Sequence, residues 1–191
     1  MDEVLEFFDQ RAENWDKNTT RDTNRLKQII QDLPIKKGDK VLDLGCGTGV
    51  ISELLFQKSQ SDVFAIDLSP KMIEVAKQKN QNDKIHFSAE NFYNYQGNDF
   101  SVIVVFDAYP HFLDVENFKN KCLEVLIDGG YLCIVHDIGR DELNDHHFTF
   151  AKKISRGLND VRSEAQFYMP EFHVIDARED DNNYRIIAQK R

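Results

Sequence analysis

The stretch Val41-Leu42-Asp43-Leu44-Gly45-Cys46-Gly47-Thr48-Gly49 decides the fold. An apolar strand runs into three alternating glycines, and residues 49–58 then carry helical spacing. Glycines permit a tight turn and let a ligand approach the backbone without meeting a Cβ. The dinucleotide-binding fingerprint needs a different series, since Val50 stands where its third glycine would pack helix against strand beside a pyrophosphate. Asp43 places a carboxylate beside the loop, which suits a cationic or amine-bearing ligand better than a diphosphate. Taken alone the glycines also read as a plain turn, so the neighbouring segments have to decide.

Outward from that loop, strand and helix patterns alternate almost to the end. Strands are expected at 40–44, 62–66, 84–87, 100–106, 130–135, 172–179 and 184–189, and helices at 49–58, 70–79, 115–126 and 141–154. Pro70 suits a first helical position, with Ser69 before it to accept from the orphan amides. Residues 102–105 are apolar throughout, as in a central strand covered on both faces. Strands separated by helices of this length need βαβ crossovers. The reading is therefore an α/β fold: a doubly wound, mostly parallel seven-stranded sheet whose last strand is reversed by a hairpin at Asp180-Asp181-Asn182-Asn183. Upstream, Val4, Leu5, Phe7, Phe8, Ala12 and Trp15 predict one short aromatic-rich helix, and Leu26, Ile29, Ile30 and Leu33 a second, ended by Pro34. Residues 155–169 are expected to be a loop with one short turn. A single domain is expected, with N-terminal helices at 1–39 and the main body at 40–191.

Composition narrows the function classes. The chain has 191 residues and a formal charge of −9, which disfavours a broad phosphate-binding surface. Cys46, Cys122 and Cys133 are too few and too irregularly spaced for a disulfide framework and read as reduced thiols. The opening residues are acidic and polar, unlike a signal peptide, and 102–106, the longest strongly apolar stretch, falls far short of the ~20 residues that cross a bilayer. A cytoplasmic protein without membrane partners is expected.

Further strand ends carry polar groups at the edge where open α/β sheets bind ligands. Asp67 ends the second strand, where a carboxylate accepts both hydroxyls of a ribose; capping the next helix is its structural alternative. Met72 either covers a flat ring or packs in the core. Ala89 and Glu90 follow the third strand, placed to meet an exocyclic amine or ring edge, with a helix-start role open for Glu90.

These pieces together, Val41 to Gly49, Val63 to Asp67 with Ser69-Pro70-Lys71-Met72, Ser88 to Asn91, and the strand and loop at 99–112, resemble the class I S-adenosylmethionine-dependent methyltransferase family, in its small-molecule branch. The resemblance covers roughly Lys40 to Val135 and implies a Rossmann-like methyltransferase fold. It implies that Gly45, Cys46, Gly47 and Gly49 pass under the methionine part of S-adenosylmethionine, with Asp43 near its amino group. By the same resemblance Asp67 holds the ribose, Leu68 and Met72 flank the adenine, Ala89 and Glu90 reach its amino edge, and Phe106 faces the cofactor. The helix before the penultimate strand looks shorter than the family's.

Methyl transfer from a sulfonium needs alignment, exclusion of water and, for some acceptors, removal of a proton. Candidates follow the fourth and fifth strands: Asp107, Tyr109 and His111, then His136 with Asp137, and His146-His147 beyond. The segment after Phe106 lacks the Asn/Asp-Pro-Pro-aromatic loop associated with methylation of amide or base nitrogens, so a small-molecule acceptor is preferred. His111 and His136 carry three readings: general base, pocket-lining polar group, or metal ligand with His147 and Asp107. His86 and His173 lie in strand patterns and are expected to pack or face solvent. Arg140, Glu142 and Asn144 are candidates for recognising a polar acceptor, and Tyr109, Phe8 and Trp15 for its apolar walls. Rival functions are a protein or nucleic-acid methyltransferase, a non-catalytic S-adenosylmethionine-binding protein and a dinucleotide oxidoreductase. A homodimer is a further expectation. With this net charge, nucleic-acid binding measured by salt titration should be weak and nearly salt-independent; affinity that falls by decades as salt rises would move the acceptor to nucleic acid.

Overall fold

The computed structural model describes residues 3–19, 21–150 and 153–191, apart from the side chains of 147–150. The chain divides into two compact units, Met1–Gly97 and Asn98–Arg191.

The first unit starts with the aromatic segment, which is broken where one helix was expected: α1 (Glu3–Asp9), a 3-10 turn (Ala12–Asn14) and α2 (Trp15–Asn18). Two side chains end α1. The Arg11 guanidinium donates to the Phe7 carbonyl at 3.0 Å, taking an orphan acceptor of the last turn. Asp9 is drawn away to accept from Ser69 Oγ at 2.5 Å. Helix α3 (Thr23–Asp32) is capped by Asp22, whose carboxylate accepts from the amides of Asn24 and Arg25. Its open carbonyl end is closed by Lys58, which donates to the Ile30 and Leu33 carbonyls at 2.9 and 2.6 Å.

Strands β1 (Val41–Leu44), β2 (Val63–Asp67) and β3 (Ile85–Ala89) run parallel, with Val41 beside Val63 and Val63 beside Ile85. The crossovers are α4 (Ser52–Ser59) and α5 (Pro70–Lys79). Helix α4 begins three residues later than its periodicity predicts. Gly45, Gly47 and Gly49 hold φ of 72°, 53° and 76°, outside the right-handed helical region. Helix α5 matches its expected bounds, with Ser69 Oγ accepting from the Met72 amide.

The second unit carries β4 (Phe100–Phe106), α6 (Val115–Val125), β5 (Leu126–His136), α7 (Arg140–Phe150), α8 (Val161–Gln166), β6 (Phe172–Asp180) and β7 (Asn183–Lys190). β5 is parallel to β4, whereas β7 is antiparallel to both β5 and β6. The strand order is β3-β2-β1 in the first unit and β4-β5-β7-β6 in the second, and the reversed last strand agrees with the sequence reading. Val102 to Val105 and Leu132 to Val135 are fully buried, as their unbroken apolar runs require. Residues 155–169 are more ordered than expected, since α8 forms behind the Asp160 cap, which accepts from the Ser163 amide at 3.0 Å. Its six residues fit the shortened helix before the penultimate strand.

Lys58→Met should lower stability by about 1–2 kcal/mol in urea unfolding, since it strips a charged donor from half-buried carbonyls at the end of α3. An unchanged midpoint would show that water replaces the ammonium at no cost.

Candidate functional site

In the first unit, the glycine loop is stitched to the end of β2. The amides of Gly45 and Cys46 both donate to the Ile66 carbonyl, at 2.9 and 3.0 Å. The next amide, Gly47, donates to Asp67 Oδ2 at 2.8 Å, while Oδ1 accepts from Ser69 at the same distance. The Asp67 carbonyl in turn accepts from the Glu90 amide at 2.9 Å. One residue thus joins the loops after β1, β2 and β3. Burial holds the Asp67 carboxyl above its ordinary range, opposed by the Ser69 and Gly47 amides and reinforced by the charge of Asp9. Each carboxylate oxygen has two lone pairs, so these single bonds leave acceptor capacity for hydroxyls.

Asp43 lies deeper, 1% exposed, and accepts from Ser52 Oγ at 2.6 Å. Burial lifts its pKa to about 7 against the opposing Ser52 bond, and the Asp67 charge adds to the rise. A positive group brought beside these two carboxylates relieves both. Cys46 is a buried thiol, pushed well up by burial and by Asp43 and Asp67, so it is no nucleophile. Gly49 is needed for packing, because a Cβ there would meet the Phe87 ring at 3.0 Å. Met72, 1% exposed, sits in the core, the second of its two expected roles. Leu68 is half-buried, whereas Ala89 and Glu90 are exposed.

The N-terminal segment contributes two carboxylates that the sequence reading missed. Asp9 meets Ser69 and, at 3.4 Å, the Lys71 amide. Asp16 accepts from Thr48 Oγ1 and from Lys79 Nζ, both at 2.6 Å, and Lys79 also donates to the Thr48 carbonyl. Phe8 and Trp15 meet edge to face at 5.5 Å, each half-buried. Partners this far apart in sequence leave no periodic signal.

In the second unit, β4 ends at Phe106, which is 6% exposed, and Asp107 follows with φ of 53°, a left-handed backbone uncommon for a residue with a Cβ. Its amide donates to the Val135 carbonyl at 2.9 Å and its Oδ1 accepts from the Asp137 amide at 3.1 Å. That same oxygen lies 3.5 Å from His136 Nδ1. The carboxylate beside His136 is therefore Asp107, not its sequence neighbour. His136 is fully buried, which corrects the expectation of an open pocket-lining ring. Neither of its nitrogens has a hydrogen-bond partner among the described residues, and the Tyr184 ring stands edge-on at 6.0 Å. A buried imidazole left unpaired is costly.

His111 is half-buried, with Nδ1 3.0 Å from the Ile154 carbonyl. A carbonyl only accepts, so the neutral ring carries its proton on Nδ1 and its lone pair on Nε2. Burial lowers the His111 pKa to about 4; the Ile154 bond opposes this and His136 adds to it.

Tyr109 requires a second correction. It is fully buried, and its hydroxyl is shared with Glu164 at 2.7 Å and Tyr168 at 2.6 Å, which makes it part of the scaffold. Asn144 is likewise engaged, clasping the Leu158 backbone amide and carbonyl, and Arg140 pairs with Asp141 and Glu179. His86 and His173 face solvent, His86 beside Asp62 at 2.7 Å. No group of three or more His, Cys, Asp or Glu able to hold an ion occurs among the described residues. The His147 side chain lies outside them.

Comparison with known proteins matches this architecture. Residues 42–134 match the methyltransferase domain family. That match is consistent with the class I S-adenosylmethionine-dependent methyltransferase family. The chain is 28% identical over 148 residues to a malonyl-acyl-carrier-protein O-methyltransferase of Acetivibrio thermocellus, covering 75% of this chain and 52% of that one. It is 31% identical over 118 residues to a ubiquinone biosynthesis O-methyltransferase of Coxiella burnetii, covering 56% and 47%. The chain thus spans about half the length of the curated relatives it matches. Among solved structures, the N-methyltransferase NodS of Bradyrhizobium japonicum WM9, in complex with S-adenosyl-L-homocysteine, shares the fold of this chain with a TM-score of 0.76 at 14% identity, over 99% of both chains. Among the described residues no helix is long and apolar enough to cross a membrane.

The Asp43 carboxyl gives a pH signature with a definite sign. Its folded pKa, about 7, lies above the unfolded value near 3.8, so the native state keeps the proton longer. Stability is fully present below the unfolded value and is lost as pH rises through about 7. Asp43→Asn should remove that loss, so that the urea-unfolding free energies of variant and native diverge by up to a few kcal/mol between pH ~4 and ~8. Parallel free energies across that range would contradict the burial argument.

Proposed function

We propose that this chain transfers a methyl group from S-adenosylmethionine to a small-molecule nucleophile by direct in-line displacement. The supporting observation is the Asp67 junction, where a half-buried carboxylate joins the glycine loop to the ends of β2 and β3. S-adenosylmethionine supplies a methyl carbon on a cationic sulfur; the acceptor atom bonds to that carbon as the carbon–sulfur bond breaks, S-adenosylhomocysteine leaves, and any acceptor proton passes to a base or water.

In this reading Asp67 takes the ribose hydroxyls, and Gly45, Cys46, Gly47 and Gly49 present backbone to the methionine part. Asp43 attracts its amino group, Leu68 lies against the adenine, and Ala89 with Glu90 reaches its amino edge. Phe106 is assigned to the donor side as well. The buried Met72 supports Leu68 from within the core. Residues 1–39 belong with the cofactor-binding body, a reading supported by Asp9 on Ser69 and Asp16 on Thr48.

On the acceptor side we assign His111 and His136, with Asp107 orienting His136. An unpaired buried imidazole next to a carboxylate suits a protic acceptor, whose proton it receives through a hydrogen bond. The O-methyltransferase names of the relatives favour oxygen as the acceptor atom. The charge of −9 and the absence of an Asn/Asp-Pro-Pro-aromatic loop after Phe106 favour a metabolite over nucleic acid.

Calorimetry with S-adenosylhomocysteine tests the donor half. The native chain should bind it, and Asp67→Ala should lose about 2–3 kcal/mol, the worth of charged hydrogen bonds to the ribose. Binding of NAD in place of S-adenosylhomocysteine would overturn the class. For the acceptor half, a labelled methyl donor is offered to a panel of phenols, alcohols, carboxylic acids and thiols. His111→Asn and His136→Asn should each keep S-adenosylhomocysteine affinity, and replacing the imidazole that serves as base should cut transfer by ~10²–10⁴-fold. Near-normal turnover in both variants would reduce the two rings to structural roles.

A further inference from the structure

The segment that meets His111 has no regular secondary structure of its own. Two backbone contacts join it to the 3-10 turn Tyr109–His111: the Ile154 carbonyl accepts from His111 Nδ1 at 3.0 Å, and the Arg156 amide donates to the Pro110 carbonyl at the same distance. Something must hold residues 154–156 in place for that pairing to be specific.

The side chains around Glu164 do so. Glu164 projects from α8 and is 4% exposed. Its Oε1 accepts from Arg156 at 2.5 Å and from the Tyr109 hydroxyl at 2.7 Å, and its Oε2 accepts from Asn159 at 3.0 Å. The Arg156 guanidinium also lies over the Tyr109 ring, 4.6 Å from its centre. One buried carboxylate therefore grips the turn through Tyr109 and the facing segment through Arg156.

We propose that Glu164 is a positioning residue for His111: acting through Arg156 and Tyr109, it locks the Tyr109–His111 turn against residues 154–156 and keeps the imidazole proton on Nδ1. The consequence is a ring that presents its Nε2 lone pair in one orientation. This inference rests on the reading that His111 meets the acceptor only for its functional meaning; the geometry is tested without turnover. The rival explanation is that burial of Ile154 and Leu158, 4% and 5% exposed, holds the segment unaided.

Nitrogen-15 histidine labelling of the full chain separates the two. Long-range proton–nitrogen spectra at pH 7 should show His111 as a single Nδ1–H tautomer in the native protein. In Glu164→Gln, and to a smaller degree in Tyr109→Phe, which deletes only the shared hydroxyl, both tautomers should appear. Asp160→Ala loosens α8 by removing its cap without touching the cluster; it should lower the melting temperature and leave the tautomer alone. A single unchanged tautomer in both cluster variants, or an Asp160→Ala shift as large as that of Glu164→Gln, would overturn the proposal. Failure of the acceptor reading shows differently, as undiminished methyl transfer in His111→Asn while the tautomer result holds.

Discussion

The hydrogen bond from the Gly47 amide to Asp67 is the contact on which the arrangement of the glycine loop depends. A loop with three glycines has many conformations open to it, and ordering such residues is costly. The carboxylate at the end of β2 selects one conformation by accepting the loop's amide, and the Asp67 backbone fixes the Glu90 segment. The result is a rigid edge assembled from three strand ends, with a carboxylate at its centre before any ligand arrives. Groups fixed beforehand hold a ligand without the entropic cost of ordering them on binding. The elevated pKa of Asp43 belongs to the same arrangement, since two acids share a buried corner that favours a positive guest.

How far this was legible in the sequence depends on the range of the interactions. The parallel strands, the reversed hairpin and helix α5 follow from periodicity, Pro70 and Ser69, because each is a local pattern repeated over several residues. The placement of the glycine loop, Asp67 and the Ala89–Glu90 segment at successive strand ends was legible for the same reason, strand ends and turns being contiguous in the chain. Helix α1 was overextended because Asp9 is captured by Ser69, sixty residues away, a contact that leaves no periodic trace. Helix α8 was missed because it buries Glu164 among its apolar positions, and a charge at a core position hides the helical face.

The acceptor side was legible by residue type and not by environment. Asp107, His111 and His136 were singled out because they follow strand ends, and Tyr109 was not separable from them by sequence. Its hydroxyl is taken by Glu164 and Tyr168, the latter fifty-nine residues on. The burial of His136 and its missing partners are likewise tertiary facts. The unit combines a saturated polar cluster around Glu164 with an unsatisfied imidazole beside Asp107. The first is what a buried network needs to rigidify a fold.

A crystal structure of the chain with S-adenosylhomocysteine bound tests the central claim most directly. The account predicts both ribose hydroxyls on Asp67 at about 2.5–3.0 Å, the amino group on the Asp43 side of the glycine loop, and the Gly47–Asp67 bond retained. A nucleoside bound elsewhere, with Asp67 still bonded only to Gly47 and Ser69, would contradict it.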